Sequence, residues 1–128
     1  MTASRRLPRW EAIFPAAIVD RASRPHWLLN VTNDAWYGRS SGPYQHFAIA
    51  RTRAVEEGLP LIRVANNGIS GVVDAEGRVL ARTNLDDVTY ADVLLPASGT
   101  TTPYAVIGDW GFLALLIIGL VPVARRLR

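Results

Sequence analysis

The residues able to do chemistry in this 128-residue chain are few. Glu11 stands in "PRWEAIFP", between Trp10 and an apolar run. A carboxylate so placed either ends a strand or belongs to a reaction site. Asn33, Asp34, Trp36 and Tyr37 follow an apolar stretch within "NDAWYG". Loops after strands often line sites, although an Asx-type turn with an aromatic plug reads the same residues equally well. His26 and His46 could be combined with Asp34 as metal ligands, but no short ligand spacing supports a metal site. His46 reads better as a hydrogen-bonding helix position. Asn66, Asn67 and Gly68 read as turn chemistry.

What is missing narrows the chemistry further. The chain has no cysteine, which excludes disulfides, thiolate metal sites and a cysteine nucleophile of its own. The lack of disulfides does not assign a compartment. All 14 basic residues are arginine, so a lysine Schiff base or lysine acid is excluded as well. No cofactor is implied. The net charge of +3 is small, and Arg125, Arg126 and Arg128 crowd the last four positions. No basic stripe interleaved with aromatics appears, so a nucleic-acid partner finds no support. Hydrophobic residues make up 49% and charged residues 20%, a balance that suits one modest folded domain.

The elements that must position these residues follow from pattern. Residues 1–10, "MTASRRLPRW", lack the apolar run of a leader and read as poorly ordered. Glu11 to about Arg24 suits a short helix, with Pro15 near its first turn and Pro25 ending it. "HWLLNVTN" reads as a buried strand and "DAWYGRSSGP" as a loop. The clearest helix is "PYQHFAIARTRAVEEG": Pro43 fits the first position, and Ser41 or Gly42 the cap. Phe47, Ala50 and Ala54 share a face, and Arg53 and Glu57 can pair across one turn. Gly58 supplies the left-handed stop. "PLIRVAN" is a strand, "ISGVVD" and "RVLART" form a hairpin through Ala75, Glu76 and Gly77, and "VTYADVLL" reads as a last strand.

The C-terminus changes character. Residues 104–124 are apolar apart from Asp109, and 110–124 carry no charge. A membrane core of ~30 Å takes about 20 such residues, so the expected element is a transmembrane helix. Trp110 and Tyr104 suit one interface, and the basic tail 125–128 the cytoplasmic end. The globular part would then be extracytoplasmic. A buried helix of a soluble domain is the alternative.

"EAIFP", "NDAWYG", "GPYQHFAIARTRAVE", "NNGISGVVDAEG" and "TTPYAVIGDW" occur in succession. Together they resemble the C-terminal part of bacterial apolipoprotein N-acyltransferases, membrane members of the nitrilase (carbon–nitrogen hydrolase) superfamily. The likeness runs from about Trp10 to Arg125. The resemblance implies an α+β fold: part of an α-β-β-α sandwich over residues 11–103, then the membrane helix in the inner membrane. It also implies transfer of an acyl chain from a phospholipid to the N-terminal cysteine amine of a lipoprotein, through a thioester. Phospholipid, lipoprotein and membrane are the implied partners.

The family triad is Glu, Lys and Cys: the carboxylate deprotonates the thiol, the thiolate attacks the ester, and Lys⁺ steadies the oxyanion. The Glu and Lys lie upstream of the matched region. The nucleophile lies in a "Cys-Tyr-Glu" stretch, which here reads Arg9-Trp10-Glu11. An arginine is cationic throughout the working range and cannot replace a thiolate. Glu11, Trp10, Asn33, Asp34 and Trp36 would thus be site wall rather than catalytic groups. This chain alone is expected to be inactive, its missing part being a further partner. A membrane-anchored, non-catalytic binding module of nitrilase-like fold is the rival reading. The expected source is a frame or start lost just before Glu11. Sequencing the upstream DNA checks this: the expectation is a continuous frame carrying "CYE" and a Glu- and Lys-bearing region. An upstream stretch without related coding potential in any frame would end it.

Overall fold

The computed structural model describes residues 4–7, 18–20 and 22–126. It is a mixed α+β structure built on one five-stranded sheet, ordered β1-β2-β3-β4-β5. The strands are β1 (Ser4–Leu7), β2 (Trp27–Asn33), β3 (Leu61–Asn66), β4 (Gly71–Val73) and β5 (Val79–Arg82). β1, β2 and β3 are mutually parallel, and β4 and β5 complete the sheet antiparallel. The helix between β2 and β3 is α1 (Gly42–Glu57), the crossover that a parallel pair requires. Asn33 pairs with Asn66 in the β2–β3 register. The chain therefore leaves both strands at the same edge of the sheet.

The core forms where α1 covers one face. Alternation in β2 buries Leu28, Asn30 and Thr32, and β3 buries Leu61 and Arg63 on the same side. Phe47, Ala50 and Ala54 of α1 meet Leu28, Leu61, Ile69 and Val73, with Ile18 and Leu59 closing the cluster. Small residues at 50 and 54 let the helix approach the strands. The helix stops at Gly58, whose φ of 63° is the left-handed conformation expected there. A second chain segment straps onto this end: Gly99 N–H donates to Gly58 O at 3.0 Å, and the Thr102 hydroxyl donates to Glu56 O.

The sheet's other face is covered by no helix or second sheet among the described residues, only edged by an irregular segment. Val31 and Val64 are about half exposed, and with Ile62 they floor a groove of about 640 Å³ walled by residues 86–91. This is one sheet with one helical layer. The second sheet of the expected α-β-β-α sandwich is not found among the described residues.

Several expectations change. Residues 1–10 read as poorly ordered, yet Ser4–Leu7 pairs with β2. The helix expected over 11–24 does not include 18–20 or 22–24, which form bends and turns, and its earlier part lies outside the described residues. Asp20 instead accepts from the Ala22 N–H at 2.9 Å, an aspartate preferring its own turn to a helix interior. Arg53 pairs with Glu56 at 2.6 Å, one residue short of the expected Glu57. Burial pushes the Glu56 carboxyl above its usual range, while Arg53 opposes the shift. Ser41 sits at the α1 cap without a side-chain capping bond. "VTYADVLL" is not a strand. Val88, Tyr90 and Leu94 are almost fully exposed there, since no described neighbouring strand offers its backbone.

The helix expected over 104–124 is divided. α2 (Pro103–Ile107) ends at Gly108, with φ 58°, and α3 (Trp110–Arg126) follows. Asp109 marks the break, accepting from the Tyr104 hydroxyl at 2.9 Å and from the Leu113 N–H at 3.0 Å. α3 has 17 residues, about 25 Å at 1.5 Å per residue. No helix among the described residues is long and apolar enough to cross a membrane.

α3 nevertheless exposes apolar side chains all round: Trp110, Phe112, Leu115 and Ile118 are each about 70% exposed. With the half-exposed valines of the sheet face, this is more exposed apolar surface than a soluble monomer usually carries. The purified chain should therefore aggregate without detergent. Size-exclusion chromatography with and without detergent checks this. A monodisperse, detergent-free monomer that unfolds cooperatively would contradict it.

Candidate functional site

The parallel strands bring two chain turns together at their C-terminal edge, where sheets of this kind often bind ligands. The first turn is Asp34 to Gly38, containing the short 3-10 helix Ala35–Tyr37. Its backbone ties the loop to the sheet, as Asp34 N–H donates to Asn66 O at 3.1 Å and Asp34 O accepts from Tyr37 N–H at 3.0 Å. The second is the turn after Asn66, where Asn67 takes a left-handed φ of 56°.

Beneath both turns lies a buried polar cluster. Asp34, Arg63, Asn30 and His46 are all less than a tenth exposed. Arg63 Nη2 donates to Asp34 Oδ2 at 2.8 Å, Nη1 to Asn30 Oδ1, and Nε to Ile69 O at 3.3 Å. The guanidinium thus joins β2, β3 and the second turn through its fixed fork. Burial pushes Arg63 below its usual range, and the Asp34 charge and hydrogen bond counter this. The group stays cationic at any ordinary pH.

His46 projects from α1 into the same cluster. Its Nδ1 lies 2.8 Å from Asp34 Oδ1 and 3.1 Å from Arg63 Nη2. A carboxylate only accepts, so Nδ1 must carry the proton and donate to Asp34. The Arg63 contact is then an approach of two donors converging on one carboxylate, not a hydrogen bond. Nε2 is buried without a hydrogen-bond partner among the described residues. The Tyr37 ring meets the imidazole edge-on, with centroids 5.9 Å apart. Two glycines permit this packing. A Cβ on Gly68 would run into the Asp34 carboxylate, and one on Gly42 would lie 2.5 Å from the Tyr37 ring.

Of the residues singled out in the sequence, Asn33, Asp34, Trp36 and Tyr37 do gather here. Asn33 Oδ1 accepts from Ala35 N–H at 3.0 Å, and Trp36 Nε1–H donates to Asn33 O at 2.9 Å. Trp36 is 70% exposed, whereas Asp34 is 1% exposed. Asp34 therefore supports the wall from beneath rather than facing a ligand. Arg9, Trp10 and Glu11 lie outside the described residues. His26 is exposed at the start of β2, and no group of three or more ligating side chains that could hold a metal occurs among the described residues.

Arg63 and Asn30 were not singled out from sequence. A signal was present: in "PLIRVAN" the arginine shares its face with Leu61, and in "HWLLNVTN" Asn30 shares its face with Leu28. A charged group on a buried strand face needs an acid partner.

The Carbon-nitrogen hydrolase family profile matches residues 9–102, most of the chain. The chain belongs to the carbon–nitrogen hydrolase family. Within it, the chain is 48% identical over 109 residues to an apolipoprotein N-acyltransferase of Rickettsia prowazekii, covering 84% of this chain and 22% of that protein. It is 46% identical over 117 residues to that of Bradyrhizobium diazoefficiens, covering 91% and 22%. It is 54% identical over 87 residues to that of Rickettsia bellii, covering 68% and 17%. The chain spans about a fifth of the length of the curated relatives it matches.

For this carbon–nitrogen hydrolase chain, the buried pair gives a direct expectation. Truncating one member leaves the other charge uncompensated, which typically costs about 3–5 kcal/mol. Arg63→Met should lose stability on that scale, and surface Arg78→Met less than about 0.5 kcal/mol. Denaturant unfolding in a mild detergent, followed by circular dichroism, measures both. Equal losses would refute the central place of Arg63.

Proposed function

We propose that this chain is the C-terminal portion of an apolipoprotein N-acyltransferase and is inactive by itself. The observation that carries the reading is the match to those enzymes at 46–54% identity over 87–117 residues. The reaction moves an acyl chain from a phospholipid to the N-terminal cysteine amine of a lipoprotein. A cysteine thiolate displaces the lysophospholipid alkoxide and forms a thioester, and the amine then displaces the thiolate. A carboxylate takes the thiol proton, and an ammonium steadies the tetrahedral oxyanion. This chain has neither cysteine nor lysine, so nucleophile and cation must come from elsewhere.

The part retained here is structural and recognitive. Glu11, Trp10, Asn33 and Trp36 form the wall of the thioester site in this reading, and Asp34 holds that wall from within. The exposed apolar girdle of α3, opening with Trp110, suits contact with lipid. The proposed location is the inner membrane, with the globular part on its extracytoplasmic side.

An acyl-transfer assay with phospholipid donor and diacylated lipopeptide acceptor tests the proposal in two arms. The chain alone should show no turnover. A chimera in which residues 11–126 replace the matching segment of the Rickettsia prowazekii relative should retain transfer. Turnover by the chain alone would overturn the inactivity. A folded, membrane-inserted chimera without activity would overturn the acyltransferase reading in favour of a non-catalytic binding module.

A further inference from the structure

We infer that His46 is a positioning residue: acting through Asp34 and the Tyr37 ring, it fixes the loop that presents Trp36 at the site edge. The inference deepens the acyltransferase reading, and its relevance to acyl transfer rests on that reading.

The Asp34–Gly38 loop is tied to the sheet by Asp34 N–H to Asn66 O and to the start of α1 by the Ser40 hydroxyl, which donates to Tyr37 O at 2.7 Å. Its base is the Asp34 carboxylate, gripped on one oxygen by Arg63 and on the other by His46. Arg63 belongs to β3, so its grip fixes Asp34 to the sheet. His46 belongs to the first turns of α1, so its grip fixes Asp34 to the helix that follows the loop. The loop is thereby anchored before and after by a single carboxylate. The imidazole serves a second contact with its ring: it supports Tyr37 edge-on, and the Tyr37 ring also lies so close to Gly42 that a Cβ there would collide with it. Trp36 lies between these supports, its indole N–H tied to Asn33 O and its ring largely in solvent. A large aromatic held outward by buried polar groups is a preorganised wall rather than a mobile one.

The imidazole has two nitrogens, and the geometry assigns the role to one of them. Positioning needs the Nδ1–H bond to Asp34. A direct role toward a reacting group would need Nε2. Asparagine places an amide N–H close to the Nδ1 position, and glutamine close to the Nε2 position. His46→Asn should therefore keep the grip on Asp34 and lose only the ring contact with Tyr37, whereas His46→Gln and His46→Ala should lose both.

Hydrogen exchange of the full chain in detergent reads this directly at the Tyr37 amide, which is bonded to Asp34 O. Exchange should quicken roughly tenfold in the glutamine and alanine variants, the scale of one charge-assisted hydrogen bond, and only about two- to threefold in the asparagine variant, which loses the ring contact alone. The β3 amides should be unchanged in all three, which separates loop release from unfolding. Tyr37→Leu, at a partly exposed position, should also quicken the loop amide and cannot empty the core. In the chimera, the glutamine and alanine variants should raise KM for the lipid donor roughly tenfold with kcat held within a few-fold, and asparagine should rescue KM. Equal behaviour of asparagine and glutamine, or glutamine outperforming asparagine, overturns the positioning role. An unmodified chimera without activity, with the exchange pattern intact, would sink the acyltransferase reading and leave the positioning role standing.

Discussion

The buried ion pair between Arg63 and Asp34 is the constraint on which the rest of this structure depends. Both side chains are fully enclosed, and neither charge could be there without the other. Replacement by well-packed apolar groups could be as stable, so the pair is poorly explained by stability alone. Its value is directional. A guanidinium fork accepts one arrangement of acceptors, and here those acceptors come from β2, from the loop after it and from the turn after β3. The pair sets the relative position of two turns that hydrophobic packing would leave free to slide.

Around that pair, the apolar core and the polar edge divide the work along α1. The middle and end of the helix carry Phe47, Ala50 and Ala54 into the cluster with Leu28, Leu61 and Val73. The start carries His46 into the polar cluster instead. One helix thus registers the sheet by packing and the site edge by hydrogen bonding. Gly42 and Gly68 belong to the same design, since each lies where a side chain would push the cluster apart.

Much of the sheet and of α1 was legible in the sequence, because local pattern and tertiary role agree there. Alternation marks β2 and β3, and Pro43 and Gly58 bracket the helix. The misses have physical causes. "VTYADVLL" has the composition of a strand, but a strand needs a neighbour's backbone, and composition cannot report whether one is present. The apolar run over 104–124 looked continuous because hydropathy averages across Gly108 and Asp109, where the backbone turns. At the site, the residues of the exposed loop were visible because loops are punctuated by recognisable types. Arg63 and Asn30 were hidden because they occupy ordinary strand positions, and only their shared parity with Leu61 and Leu28 betrays them.

The strap at Gly58 has a mechanical consequence. Gly99 and Thr102 fasten the C-terminal segment to the last turn of α1, and Thr102 then caps α2, accepting from the Ala105 N–H at 3.0 Å. The chain therefore departs toward α3 from a fixed point on the core helix rather than from the free end of a long loop. A pull on α3 would reach the last turn of α1, the helix whose opposite end carries His46. The strap and the site edge thus share one helix as their support.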